Sequence, residues 1–167
     1  MTAKMITQSE LARNVGQAYQ QALQLSLQQA VNCHEANRFD DAERSYRSIL
    51  EAQPEHPEAN HNLGVLLLER QQFEASLPHF EAALAARPES QGYWLSYIDA
   101  LVLAGQTELA QRTLAFGREH GMAGDSVDAL ARRLGTAPQQ EVTVDENQAL
   151  EKKAVKKRAA KKQALSV

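Results

Sequence analysis

Residues 60–88, NHNLGVLLLERQQFEASLPHFEAALAARP, carry apolar side chains at helical spacing in two successive runs, and the same arrangement occurs 34 residues earlier and 34 residues later. Ala30, Gly64 and Ile98 are equivalent positions, as are Phe39, Phe73 and Thr107, then Ala42, Ser76 and Ala110, then Tyr46, Phe80 and Leu114, and finally Pro54, Pro88 and Met122. The register does not slip. A period of this length built from paired helices predicts a solenoid, in which each unit buries its apolar face by stacking on its neighbours. Small residues are expected where the two helices of a unit cross closely, Ala30 against Ala42 and Gly64 against Ser76. Tyr46 and Phe80 are expected as wedges between layers, with Pro54 and Pro88 ending the second helices. Pro78 is expected near the start of a helix that begins around Phe73, where a missing backbone donor costs little.

The flanks follow other patterns. Thr7 and Glu10 have capping-box spacing, and Leu11, Val15, Ala18, Ala22 and Leu25 continue at helical intervals. Residues 9–36 therefore read as one long helix or as two joined near residues 16–20. Residues 9–20 are expected to be a helical cap on the first repeat or, alternatively, a homodimerisation arm. After Gly105, Thr107 is expected to cap a helix over 108–119, closed by Gly121 and Gly124. A short helix then starts at Asp125 or Ser126, with Val127, Leu130, Ala131 and Leu134 on one face and Arg132 and Arg133 at its C-terminal end. The expected organisation is an N-terminal helical extension (1–22), repeats over about 23–56, 57–90 and 91–124, a capping helix (125–134), and a linker with a basic tail (135–167).

Composition supports an all-α chain: 5% of residues are aromatic, Gly and Pro number eight and five, and Ala, Leu, Gln, Glu and Arg recur in runs. The formal charge of −3 is unevenly spread, because residues 145–167 carry +4 and the first 144 carry −7. Lys152, Lys153, Lys156, Lys157, Arg158, Lys161 and Lys162 make that segment basic, with Ala between them and no large apolar stripe. It reads as a flexible tail or interdomain linker; the alternative is a segment that binds nucleic acid, an anionic surface or an acidic partner, and these would bind through the tail only. Cys33 has no cysteine partner and reads as a buried thiol. The N-terminus has no apolar targeting core and no long apolar span occurs, so a cytoplasmic location is expected without a transmembrane segment. No phosphate-binding Gly loop, nucleophile elbow, HExxH or Cys-His zinc pattern occurs in the sequence. His34 and His61 are expected on one surface of adjacent first helices, without an evident third ligand for a metal. No catalytic residues, metal or cofactor are expected.

In the second copy, Asn60, Leu63, Gly64, Leu67, Ser76, Phe80 and Pro88 resemble the tetratricopeptide repeat signature W-x2-L-G-x2-Y, A-x3-F, P. The third copy supplies Trp94, Tyr97, Leu101 and Ala110. The first keeps Ala30, Ala42, Tyr46 and Pro54 but departs at Ser26, Gln29 and Cys33. The resemblance covers roughly residues 20–134 and implies a right-handed superhelix of about three repeats, whose first helices line a peptide-binding concave face. It places on that face Gln24, Leu27, Gln28, Val31, His34 and Glu35, then Glu58, His61, Asn62, Val65 and Glu69, then Leu95, Ser96, Asp99, Val102 and Leu103. Members that clamp a C-terminal carboxylate have basic residues where this chain has Leu27, Val31, Gly92 and Ser96, so only the asparagine, Asn62, corresponds. Asn62 is more similar to the asparagine ladder that holds an extended peptide by its backbone, with Gln28 and Ser96 as imperfect rungs, or else is a structural amide between helices. The expected function is a non-enzymatic adaptor for a protein segment or extended peptide. Residues 92–134 also resemble the end of N-terminal repeat modules of bacterial glycosyltransferases and sulfotransferases, which gives an alternative reading as a regulatory or substrate-recruiting module.

Overall fold

The computed structural model describes residues 7–135, and the basic tail lies outside the described residues. All regular elements among them are α-helices: α1 (Gln8–Glu35), α2 (Phe39–Ala52), α3 (Pro57–Glu69), α4 (Phe73–Ala86), α5 (Gln91–Leu103), α6 (Thr107–Glu119) and α7 (Asp125–Arg133). From α1 to α6 each helix packs against the next, and α3 also touches α1 and α5. The helices pair as the 34-residue register predicts, α1 with α2, α3 with α4 and α5 with α6.

The repeat is written into its turns. Asn37 and Gln71 have φ of 57° and 60°, and Gly105 at the equivalent place has φ of 76°. With the chain turned left-handed there, the N–H groups of Arg38, Gln72 and Gln106 each donate to the carbonyls of Cys33, Leu67 and Leu101 at 2.8 Å. These bonds satisfy carbonyls that the ends of α1, α3 and α5 would leave unpaired. The second helices then start at Phe39, Phe73 and Thr107 without a side-chain cap, so Thr107 is the first residue of α6 and not its cap.

The core is the expected set. Ala30, Ala42, Tyr46, Leu63, Phe80, Ile98, Ala110 and Leu114 are all essentially inaccessible. The close approach at Gly64 is to Phe80, since a Cβ there would lie 2.9 Å from two ring carbons. Asn60 and Trp94 occupy one register position, and both donate to the carbonyl of the proline six residues earlier, Asn60 Nδ2 to Pro54 at 2.8 Å and Trp94 Nε1 to Pro88 at 2.7 Å. That side chain ties the starts of α3 and α5 to the turns before them. Pro54 and Pro88 follow the ends of α2 and α4, as expected. Pro78 differs from expectation: it is the sixth residue of α4, one turn further in than a harmless position, and deletes the bond its N–H would make to Glu74.

The N-terminal segment is one helix. Thr7 and Glu10 form the capping box, Thr7 Oγ1 accepting from the Glu10 N–H at 3.2 Å and Glu10 Oε2 from the Thr7 N–H at 2.9 Å. α1 continues without a break through the expected boundary at residue 22. Its packing starts at Tyr19, whose hydroxyl donates to the Ala52 carbonyl at 3.2 Å, and at Leu23, which is buried. Before that, Leu11 and Val15 remain 57% and 62% exposed, so the first turns of α1 do not cover the first repeat as a cap would. Beyond Val127, Leu130 and Ala131 of α7 and Leu134 just after its end are buried.

Candidate functional site

The C-terminal part of α1 and the length of α3 from His61 to Glu69 bound an open cavity of about 440 Å³. α1 contributes Val31, His34 and Glu35, α3 contributes His61, Asn62, Val65 and Glu69, and Tyr46 reaches it from α2, with Asn37 at the turn. Each of these positions follows from helical geometry, since residues three and four apart on α1 and on α3 share one face.

The two histidines tie adjacent first helices together. His34 Nε2 lies 2.9 Å from Glu69 Oε2, and its ring meets Phe39 and Tyr46 edge-on. His61 Nε2 lies 3.0 Å from Ser96 Oγ on α5 and its Nδ1 lies 3.3 Å from Asn62 Oδ1. Its ring stacks on Tyr93 at 4.5 Å between centroids and meets Phe80 edge-on. Burial pushes the His61 imidazole below its ordinary pKa, against a smaller opposing effect of Asn62, so the ring is neutral near pH 7. The Ser96 hydroxyl donates to the Gly92 carbonyl at 3.1 Å, which leaves its oxygen to accept from His61 Nε2.

Tyr46 is the unusual member. Its ring is fully buried, and its hydroxyl has no hydrogen-bond partner among the described residues. Burial pushes its pKa up to about 12; the amide of Asn62 lies near enough to oppose this slightly without completing a hydrogen bond. The hydroxyl is therefore protonated, with both its donor and its acceptor capacity unused.

The cavity is acidic. Glu35 and Glu69 line it, and no lysine or arginine does. The arginines that follow α1 and α3 in sequence are engaged elsewhere, Arg38 with Asp41, and Arg70 with Asp40 and Glu43. Glu35 has no cationic partner among the described residues.

Of the residues placed on this face by sequence, Val31, His34, Glu35, His61, Asn62, Val65 and Glu69 come together here. Leu95, Ser96, Asp99 and Val102 are half-buried along α5, and Ser96 joins the set through His61. Gln24 is exposed, and Gln28 is exposed and donates to Asn32 Oδ1 at 3.0 Å within α1. Leu27 is a correction: it is 7% exposed and packs in the core with Leu23 and Ala30, because these three share the inward stripe of α1. Glu58 sits outside the cavity, paired with Arg87 at 2.6 Å. Cys33 is half-buried against the core of the first repeat. Lys152, Lys153, Lys156, Lys157, Arg158, Lys161 and Lys162 lie outside the described residues. Sequence reasoning placed Tyr46 in the core alone. The signal was a hydroxyl at a position where the other repeats have Phe80 and Leu114.

Fold and groove together define a helical-repeat protein with a lined face on its first helices. The tetratricopeptide repeat model matches residues 35–76 and 61–116. The fold is that of a tetratricopeptide-repeat domain. Among solved structures it is similar to the first such domain of Spaghetti (RPAP3) bound to an HSP90 peptide, at 14% identity over 70% of this chain and 93% of that one, with a TM-score of 0.63. It is also similar to MamA 41-end from Desulfovibrio magneticus RS-1, at 17% identity over 78% and 76% and a TM-score of 0.59. The tetratricopeptide protein YrrB, described as having an unusual peptide-binding site, matches at 22% identity over 56% and 48%, with a TM-score of 0.52. No curated protein matches the sequence. No helix among the described residues is long and apolar enough to cross a membrane.

Proposed function

We propose that the chain is a non-enzymatic adaptor that holds an extended segment of a partner protein along α1, α3 and α5. The observation that carries this reading is the cavity between α1 and α3, which combines apolar walls at Val31 and Val65 with polar groups that the fold leaves accessible. Asn62 offers both an amide donor and a carbonyl acceptor, the pair a peptide backbone requires. Similar folds support the reading through the peptide bound to the Spaghetti domain and the peptide-binding site of YrrB. The recruitment of a transferase substrate would use the same face, with the transferase acting elsewhere.

Display of random short peptides against the full chain tests the proposal. Binders are expected to be lost from Asn62→Ala combined with Val65→Glu, while the helical circular dichroism and thermal midpoint stay near the parent's. Binders that the double variant retains would move the site off this face.

A further inference from the structure

The cavity has a chemical preference. Glu35 is the last residue of α1 and Glu69 the last of α3, so two carboxylates stand where two helices already present the negative ends of their dipoles. Carboxylates are disfavoured at such positions, and two facing one cavity repel each other as well. The third repeat has Leu103 at the equivalent place, which confines the acidic pair to the junction of the first two repeats. His34 occupies one oxygen of Glu69 and leaves the other free. Beneath them lies the Tyr46 hydroxyl, buried and without a partner. An unused buried polar group costs stability in the empty protein, and a donor arriving from the cavity would relieve that cost.

We propose that this junction is a subsite for one basic side chain, lysine or arginine, of an extended peptide: its aliphatic stem lies between Val31 and Val65, and its cation is held by Glu35 and Glu69 above the Tyr46 hydroxyl. The inference rests on the groove reading given above and adds the charge of the occupant. A long basic side chain suits the lining because its methylenes cover apolar surface while its head meets the carboxylates. An acidic segment is excluded by the same charges.

The test uses peptides selected from a random library on the full chain, with affinities measured by titration calorimetry. Selected peptides are expected to share a lysine or arginine at one position. Replacing that residue by norleucine, or the protein's Glu35→Gln with Glu69→Gln, should weaken binding by about tenfold, the scale of one charge-assisted hydrogen bond. The norleucine peptide should bind the parent and the double variant alike. Tyr46→Phe should weaken the basic peptide and raise the thermal midpoint together, a combination that a purely structural tyrosine would not give. Groove-dependent peptides without a basic preference would overturn the subsite and leave the adaptor reading standing, whereas peptides insensitive to Asn62→Ala with Val65→Glu would overturn both. Binding that appears only after the seven cations of residues 152–162 are replaced by glutamine would assign the subsite to the chain's own tail and overturn a partner in trans.

Discussion

At the scale of single residues, the site is a set of polar groups whose needs the fold meets unequally. Asn60 is satisfied on both sides, by the Pro54 carbonyl and by His79 Nδ1 at 3.1 Å from its Oδ1. Tyr46 is not. Removing its hydroxyl removes a buried group without a partner, so Tyr46→Phe is expected to stabilise the protein by about 1 kcal/mol, read from urea denaturation. A loss of stability would show that the hydroxyl has a partner after all. The histidines set a pH dependence. Burial lowers the pKa of both His61 and His79, the second with help from Arg47, below the unfolded value of 6.5. Below that pH the unfolded chain binds protons that the folded one refuses, so stability is full above about 6.5 and declines as pH falls through the folded values. The thermal midpoint should therefore drop between pH 7 and pH 5, and His61→Gln with His79→Gln should flatten the drop. An equal slope in parent and double variant would contradict this assignment.

At the scale of helices, the turn within each repeat and the crossing of its two helices make opposite demands. The turn requires a left-handed residue, supplied by Asn37, Gln71 and Gly105. Gln71→Gly should raise stability by about 1 kcal/mol, since a side chain is disfavoured in that region. The crossing at Gly64 leaves no room, and Gly64→Ala should cost about 1–3 kcal/mol as the new methyl meets the Phe80 ring. Gly117→Ala is a contrast, because its new methyl meets the flexible Met122 side chain. A Gly64→Ala midpoint equal to the parent's would mean that the helices are free to separate. The helices were legible in sequence because the 34-residue register fixes which positions face inward, independently of any one residue. Leu27 was misplaced because register alone aligns it with the half-buried His61 and Leu95. Its neighbours Leu23 and Ala30, which lie on its own stripe, decide that it turns inward. Tyr46 was legible as a wedge and illegible as a site, since its hydroxyl's isolation depends on what three helices bring around it.

At the scale of the whole molecule, the proposed groove makes the first helices the working face and leaves the second helices to hold it. The repeat alternates these roles: α2, α4 and α6 supply Tyr46, Phe80 and Leu114 to the core, while α1, α3 and α5 carry the open polar groups. The cavity adds two carboxylates and no cation to that face. Backbone amide chemical shifts of the full chain, followed as a selected peptide is titrated in, locate the contact directly. The largest changes are expected at Val31, His34, Glu35 and Asn37 and at His61, Asn62, Val65 and Glu69, with smaller ones at Ser96 and Asp99. Changes centred on the outer faces of α2 and α4, or on Leu11 and Val15, would contradict the proposed groove.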